Sequence, residues 1–98
     1  MMDRVYEVQW SQTALLELAN IRAYPPEVKE RIFLDTFDRL STNPKLTAKP
    51  LKTGELEGYW ARLGLYQVIL LFEVDEEKLL VSIDGIKHKR ENFSRMDK

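Results

Sequence analysis

The side chains best suited to chemistry fall in two short stretches. One is Lys87-His88-Lys89-Arg90, where the single histidine of the chain sits among three cations. Histidine exchanges protons near neutral pH, and clustered cations favour an anionic ligand. The other is Gly58-Tyr59-Trp60-Ala61-Arg62-Leu63, whose alternation reads as a β-strand with Trp60 and Arg62 on one face and Tyr59, Ala61 and Leu63 on the other. On residue types alone, Trp60 and Arg62 read equally as a ligand surface or as cover for the sheet, with Arg62 snorkelling or paired to an acid. Lys45, Lys49 and Lys52 lie in the loop ahead of this strand, available to solvent or to a polyanion. The chain has no cysteine and one histidine, which excludes disulfides, thiol nucleophiles and a multi-histidine metal site. No metal or cofactor is expected.

Positioning these residues requires a scaffold, and the patterning predicts one. Val5-Tyr6-Glu7-Val8-Gln9-Trp10 alternates and is rich in β-branched and aromatic residues, so it reads as a strand. Ser11 is a good N-cap for a first helix whose apolar stripe is Ala14, Leu15, Leu18, Ala19 and Ile21. Pro25-Pro26 breaks that helix and starts a second, with Val28, Ile32, Phe33, Thr36, Phe37 and Leu40 on one stripe, stopped by Asn43-Pro44. Residues 44–55, with two prolines and a glycine, read as a loop pinned to the core by Leu46 and Leu51. A hairpin follows from Leu56 to Val74, interrupted at Gly64-Leu65, and then a strand over Leu79 to Ile86 and a basic tail from Lys87 to Arg95. The expected fold is α+β over residues 1–98 as one domain: an N-terminal strand, a helical hairpin and a three-stranded antiparallel meander, with two helices on a mostly antiparallel four-stranded sheet.

Charge is distributed unevenly. The net charge is −1, yet residues 45–62 hold four basic and two acidic side chains, residues 78–98 six and three, and residues 63–77 four acidic and no basic ones. This distribution allows a modest basic face, with a generally solvated surface as the alternative reading. Apolar residues at 44% and charged residues at 32% suit a globular core, and no apolar run reaches the length of a membrane span. Without an export signal at the N-terminus, a cytoplasmic location is the default expectation.

Several pieces, in this order and spacing, resemble the RelE/ParE superfamily of bacterial type II toxins. They are Tyr6-Glu7-Val8-Gln9-Trp10-Ser11 with Ala14 and Leu18; Leu40 with Asn43-Pro44; Leu51, Gly54 and Leu56; Gly58 through Ile69; and Ile86-Lys87-His88-Lys89-Arg90-Glu91-Asn92-Phe93. The resemblance implies a toxin neutralised by a cognate antitoxin protein wrapped around it, of the kind found in plasmid-stabilising modules. It implies one of two activities: RelE-like ribosome-dependent cleavage of mRNA, or ParE-like inhibition of DNA gyrase without cleavage. A degenerate toxin that only binds its antitoxin is a third reading.

RelE-like enzymes place basic side chains on the strand that here carries Trp60 and Arg62. Gln67 stands where the resemblance implies an arginine after the Gly-x-Tyr turn, Lys89 where it implies a tail arginine, and Phe93 where a tyrosine is common. Relatives resembling YafQ instead rely on a tail histidine followed by phenylalanine, and His88 with Phe93 fits that variant. Cleavage by 2′-hydroxyl attack needs a base, an acid for the departing oxygen and a cation for the phosphorane. The resemblance thus implies His88, Arg62 and Lys89 as catalytic, with Trp60, Gln67, Lys49, Lys52, Arg90 and Phe93 binding substrate and no metal taking part. Trp60 or Phe93 would stack on a base, as single-stranded RNA recognition favours.

Overall fold

The computed structural model describes residues 5–52 and 54–91. Its core forms where two helices cover one face of a sheet. Strand β1 (Glu7–Trp10) leads through Ser11 into α1 (Gln12–Ala19), α2 spans Pro26–Thr42, and β2 (Lys49–Pro50), β3 (Trp60–Leu63), β4 (Val68–Asp75) and β5 (Leu80–His88) complete the sheet in the order β1-β5-β4-β3-β2. Neighbouring strands run antiparallel except β1 and β5, which are parallel. The expected architecture is present, with one strand more than expected. β2 lies inside the segment read as a loop, because two residues paired across the chain to Ala61 and Trp60 leave no periodicity to detect.

Local chemistry accounts for the helix boundaries. The Ser11 hydroxyl accepts the Ala14 N–H at 3.0 Å, satisfying one of the donors that a helix start leaves open. Pro26 occupies the first turn of α2, where its missing N–H costs nothing, and Glu27 faces the positive end of the helix dipole. Ala14, Leu18 and Ile21 of the first stripe are buried, together with Ile32, Thr36 and Leu40 of the second. Leu15 and Ala19 turn instead to the outer side, where they line an open apolar groove between the helices with Pro26 and Phe33. Leu46, expected to pin the loop, is exposed, and Pro44 and Ala48 pack inward in its place.

The β4–β5 pairing contains the irregularity that matters most for the site. Leu71 lies opposite Gly85 but Phe72 lies opposite Ile83, so Asp84 is an extra residue. Such a bulge shifts the side-chain phase of its strand by one. Val81, Ile83 and Ile86 are therefore all buried on the helix side despite the odd spacing between the last two. β5 also continues past the expected end at Ile86: Lys87 pairs with Ile69 and His88 with Val68, so these two residues belong to the sheet rather than to a tail. The polar side chains of Lys87 and His88 concealed this continuation.

Between β3 and β4 the chain turns tightly. Gly64 N–H donates to Val68 O at 2.7 Å, and both Tyr66 and Gln67 adopt positive φ, 57° and 65°. Gly64 itself has extended backbone, but a Cβ there would meet Val68 Cγ2 at 2.9 Å and Leu70 Cδ1 at 3.1 Å, both on fully buried side chains. Overpacking of this kind costs about 1–3 kcal/mol, so Gly64→Ala is expected to lower the urea midpoint by that equivalent. A midpoint equal to wild type would show that the turn has room the packing denies.

Candidate functional site

Three separate segments converge at the end of β5. The connection between α1 and α2 brings Arg22, Ala23 and Tyr24; the β3–β4 turn brings Gln67; the last residue of β5 and the 3₁₀ turn after it bring His88 and Arg90. Together they line an open cleft of ≈ 540 Å³. Among the described residues, two guanidinium groups and no carboxylate line it, in a chain whose net charge is −1. Its local potential suits an anion.

Hydrogen bonds define how the imidazole sits. The Arg90 backbone N–H donates to His88 Nδ1 at 3.0 Å, which requires a lone pair there and so places the ring proton on Nε2. That nitrogen faces the Tyr24 hydroxyl at 3.0 Å, and the hydroxyl in turn donates to the Tyr66 carbonyl at 2.5 Å. Ring contacts run in parallel: Tyr24 lies 5.2 Å from His88 and 5.8 Å from Tyr66 between centroids, both tilted. The left-handed backbone at Tyr66 and Gln67 aims that carbonyl at Tyr24, and Arg31 Nη1 meets the outer Tyr66 hydroxyl at 3.4 Å.

Arg62 has a different environment. It is 8% exposed, and its Nη1 donates to the carbonyls of Arg39, Asn43 and Pro44 at 3.1, 2.8 and 3.2 Å. Arg39 lies in the last turn of α2, Asn43 is its C-cap and Pro44 follows, so the guanidinium sits at the negative end of the helix dipole. Burial draws its pKa below the ordinary value and nearby Arg39 adds to this, while Asp35 opposes it. Trp60 shares this face as expected, but it packs against the core under Lys45, whose Nζ lies 4.8 Å from the ring centroid.

The candidate set is thus divided. His88, Gln67 and Arg90 come together at the cleft. Arg62 pairs with Leu70 where His88 pairs with Val68, two strands and one repeat away, roughly 12 Å between Cα atoms by strand geometry. Lys49 on β2 and exposed Lys52 just after it lie at the far edge of the sheet. Lys89 is exposed in the turn between His88 and Arg90 without lining the cleft, and Phe93 falls outside the described residues. The residues that sequence reasoning missed are Tyr24 and Arg22. The available signal was a phenol placed directly before Pro25-Pro26, a dipeptide that restricts its backbone.

No protein-family model matches the chain and no curated protein matches it by sequence. Solved structures do match. The RelBE2 toxin–antitoxin complex of Mycobacterium tuberculosis is 28% identical over 89% of this chain and 97% of that one, with a TM-score of 0.73. The chain is of the RelE/ParE type. An archaeal RelE–RelB complex from Pyrococcus horikoshii (17% identity, 87% and 96% of the two chains, TM-score 0.62) and the isolated RelE toxin of Escherichia coli (17%, 94% and 93%, TM-score 0.59) share its fold. Within this RelE/ParE-type fold, the described residues contain no group of metal-ligating side chains and no helix long and apolar enough to cross a membrane.

Arg62→Ala would leave several helix-end carbonyls without their charged donor and open a void in the core. A loss of about 2–4 kcal/mol is expected, read from urea unfolding. A change under roughly 0.5 kcal/mol, the scale of an ordinary surface substitution, would contradict the role given to the guanidinium.

Proposed function

We propose that this chain is the toxin of a toxin–antitoxin pair and that it acts as a ribosome-dependent mRNA endonuclease, with the cleft at the end of β5 as its reactive centre. The supporting observation is the convergence of an imidazole, a phenol and two guanidinium groups at a cleft that no carboxylate lines among the described residues. RNA cleavage by its own 2′-hydroxyl requires proton transfer at two oxygens and charge stabilisation at the phosphorane. Arg22 and Arg90 supply cations that can bind phosphate, Gln67 supplies an amide that can donate or accept, and His88 with Tyr24 supplies the exchangeable protons. Because Nδ1 is held by the Arg90 amide, His88 meets substrate through Nε2 once Tyr24 yields it, or acts through the Tyr24 hydroxyl.

Two implied site residues take other parts in this proposal. Arg62 supports the end of α2 instead of contacting phosphate, and Trp60 covers the core instead of stacking on a base. The sequestration of Arg62 also favours a second reading, a ParE-like toxin that inhibits gyrase through its surface without cleaving RNA. In either case the partner is a cognate antitoxin. The apolar groove between α1 and α2, ≈ 390 Å³ and lined by Leu15, Leu18, Ala19, Pro26 and Phe33, suits the apolar face of an antitoxin helix.

Expression of the toxin without antitoxin, with 5′-end mapping of mRNA, separates the readings. Cuts inside translated frames are expected for wild type and should fall at least ~100-fold in His88→Ala, the scale of losing a proton-transfer group. Growth arrest without such cuts would favour gyrase inhibition, and no arrest would favour a degenerate toxin.

A further inference from the structure

Tyr24 is a residue that sequence patterning passes over, yet it contacts both His88 and Tyr66 at the cleft. Its position is set from both directions along the chain. Pro25 and Pro26 follow it directly, with φ of Pro25 at −75°, and Lys29 Nζ donates to the Ala19 carbonyl, tying the first turn of α2 to the end of α1. Its hydroxyl bridges two elements, accepting from His88 on β5 and donating to the backbone of the β3–β4 turn. A donor placed on a fixed carbonyl leaves the phenol oxygen one direction from which to accept. That direction is occupied by Nε2 of His88.

We propose that Tyr24 is the positioning residue for His88, setting the orientation of the imidazole and, together with the Arg90 amide, keeping its proton on Nε2. The role rests on reading the cleft as the reactive centre, but the geometry that carries it does not. The Arg90 amide constrains Nδ1 from one side, and Tyr24 supplies the opposite anchor, so the ring is held at both nitrogens and against a tilted aromatic face. A ring held at one nitrogen only can swing about its Cβ–Cγ bond at little cost. Reaction at a misaligned group loses rate steeply, because a displacement of about 1 Å costs on the order of 100-fold.

Tyr24→Phe tests this without removing the ring that packs on His88 and Tyr66. The single histidine makes its two ring nitrogens unambiguous in long-range proton–nitrogen NMR of the full chain. Wild type is expected to show one bare and one protonated nitrogen, Nδ1 and Nε2, with an Nε2 proton slow to exchange with water. In Tyr24→Phe that proton should exchange rapidly and the two nitrogen shifts should move toward each other. Cleavage of ribosome-bound mRNA should fall roughly 10- to 100-fold in kcat with KM retained. An unchanged His88 nitrogen pattern in the variant would overturn the proposal, as would a collapsed pattern with cleavage kept at the wild-type rate. A collapsed pattern in the variant with no cleavage even by wild type would overturn the nuclease reading and leave the positioning role standing.

Discussion

The single extra residue in β5 is the constraint on which the site depends. Asp84 has no partner across β4, and its insertion moves every later side chain of the strand to the opposite face. With it, Ile86 joins Ile83 in the core and His88 turns to the helix side, where Tyr24 waits at the end of the helical hairpin. Without it, regular alternation after Ile83 would carry Gly85 and Lys87 inward and leave His88 on the open face. The same stretch is supported from outside the sheet. β1 stops at Trp10, opposite Ile83, and beyond that point Glu17 of α1 reaches the uncovered edge, accepting the Ile86 N–H at 2.9 Å and lying 3.6 Å from Lys87 Nζ. Gly85 leaves room for this carboxylate, since a Cβ there would meet Glu17 Oε1 at 3.2 Å.

Helix α2 links the bulge-dependent end of the sheet to the opposite one. At its start, Arg31 reaches the Tyr66 hydroxyl, and Tyr24 just ahead of it binds both Tyr66 and His88. At its end, Arg62 collects three carbonyls. A buried guanidinium is costly to desolvate, and the oriented carbonyls and helix dipole offset that cost without a carboxylate at hydrogen-bond distance. Arg62 thus ties β3 to the end of α2, whereas the residues of the proposed site lie near the start of that helix. This division explains how two residues on one strand face, Trp60 and Arg62, can be prominent in the sequence and remote from the cleft.

Much of the fold was legible because it rests on short-range signals. The Ser11 cap, the start of α2 at Pro26, the Asn43-Pro44 stop and the apolar stripe of α2 each act within a few residues and lie where the sequence indicates, whereas α1 ends at Ala19, ahead of the prolines expected to break it and of Ile21. Strand β2 was not legible because its two residues are defined by partners on β3. The inward turn of His88 was hidden for a related reason: a bulge depends on cross-strand register, which alternation along one strand does not encode. For the site, the residue types of His88, Gln67 and Arg90 were informative. The joining of Tyr24 to His88, 64 positions apart in sequence, became visible only in three dimensions. Arg62 shows the reverse case, since a cation next to an aromatic reads as a ligand contact until the helix end that it binds is seen.

The cleft and the β3 region make opposite demands on where a nucleic acid should bind. Titration of the full-length toxin with a short RNA lacking the reactive 2′-hydroxyl, followed by amide and side-chain NMR shifts, distinguishes them directly. Perturbations confined to Arg22, Tyr24, Gln67, His88 and Arg90, weakening as salt is raised, are expected. Shifts centred on Trp60, Lys49 and Lys52 with His88 unmoved would contradict the placement of the reactive centre at the end of β5.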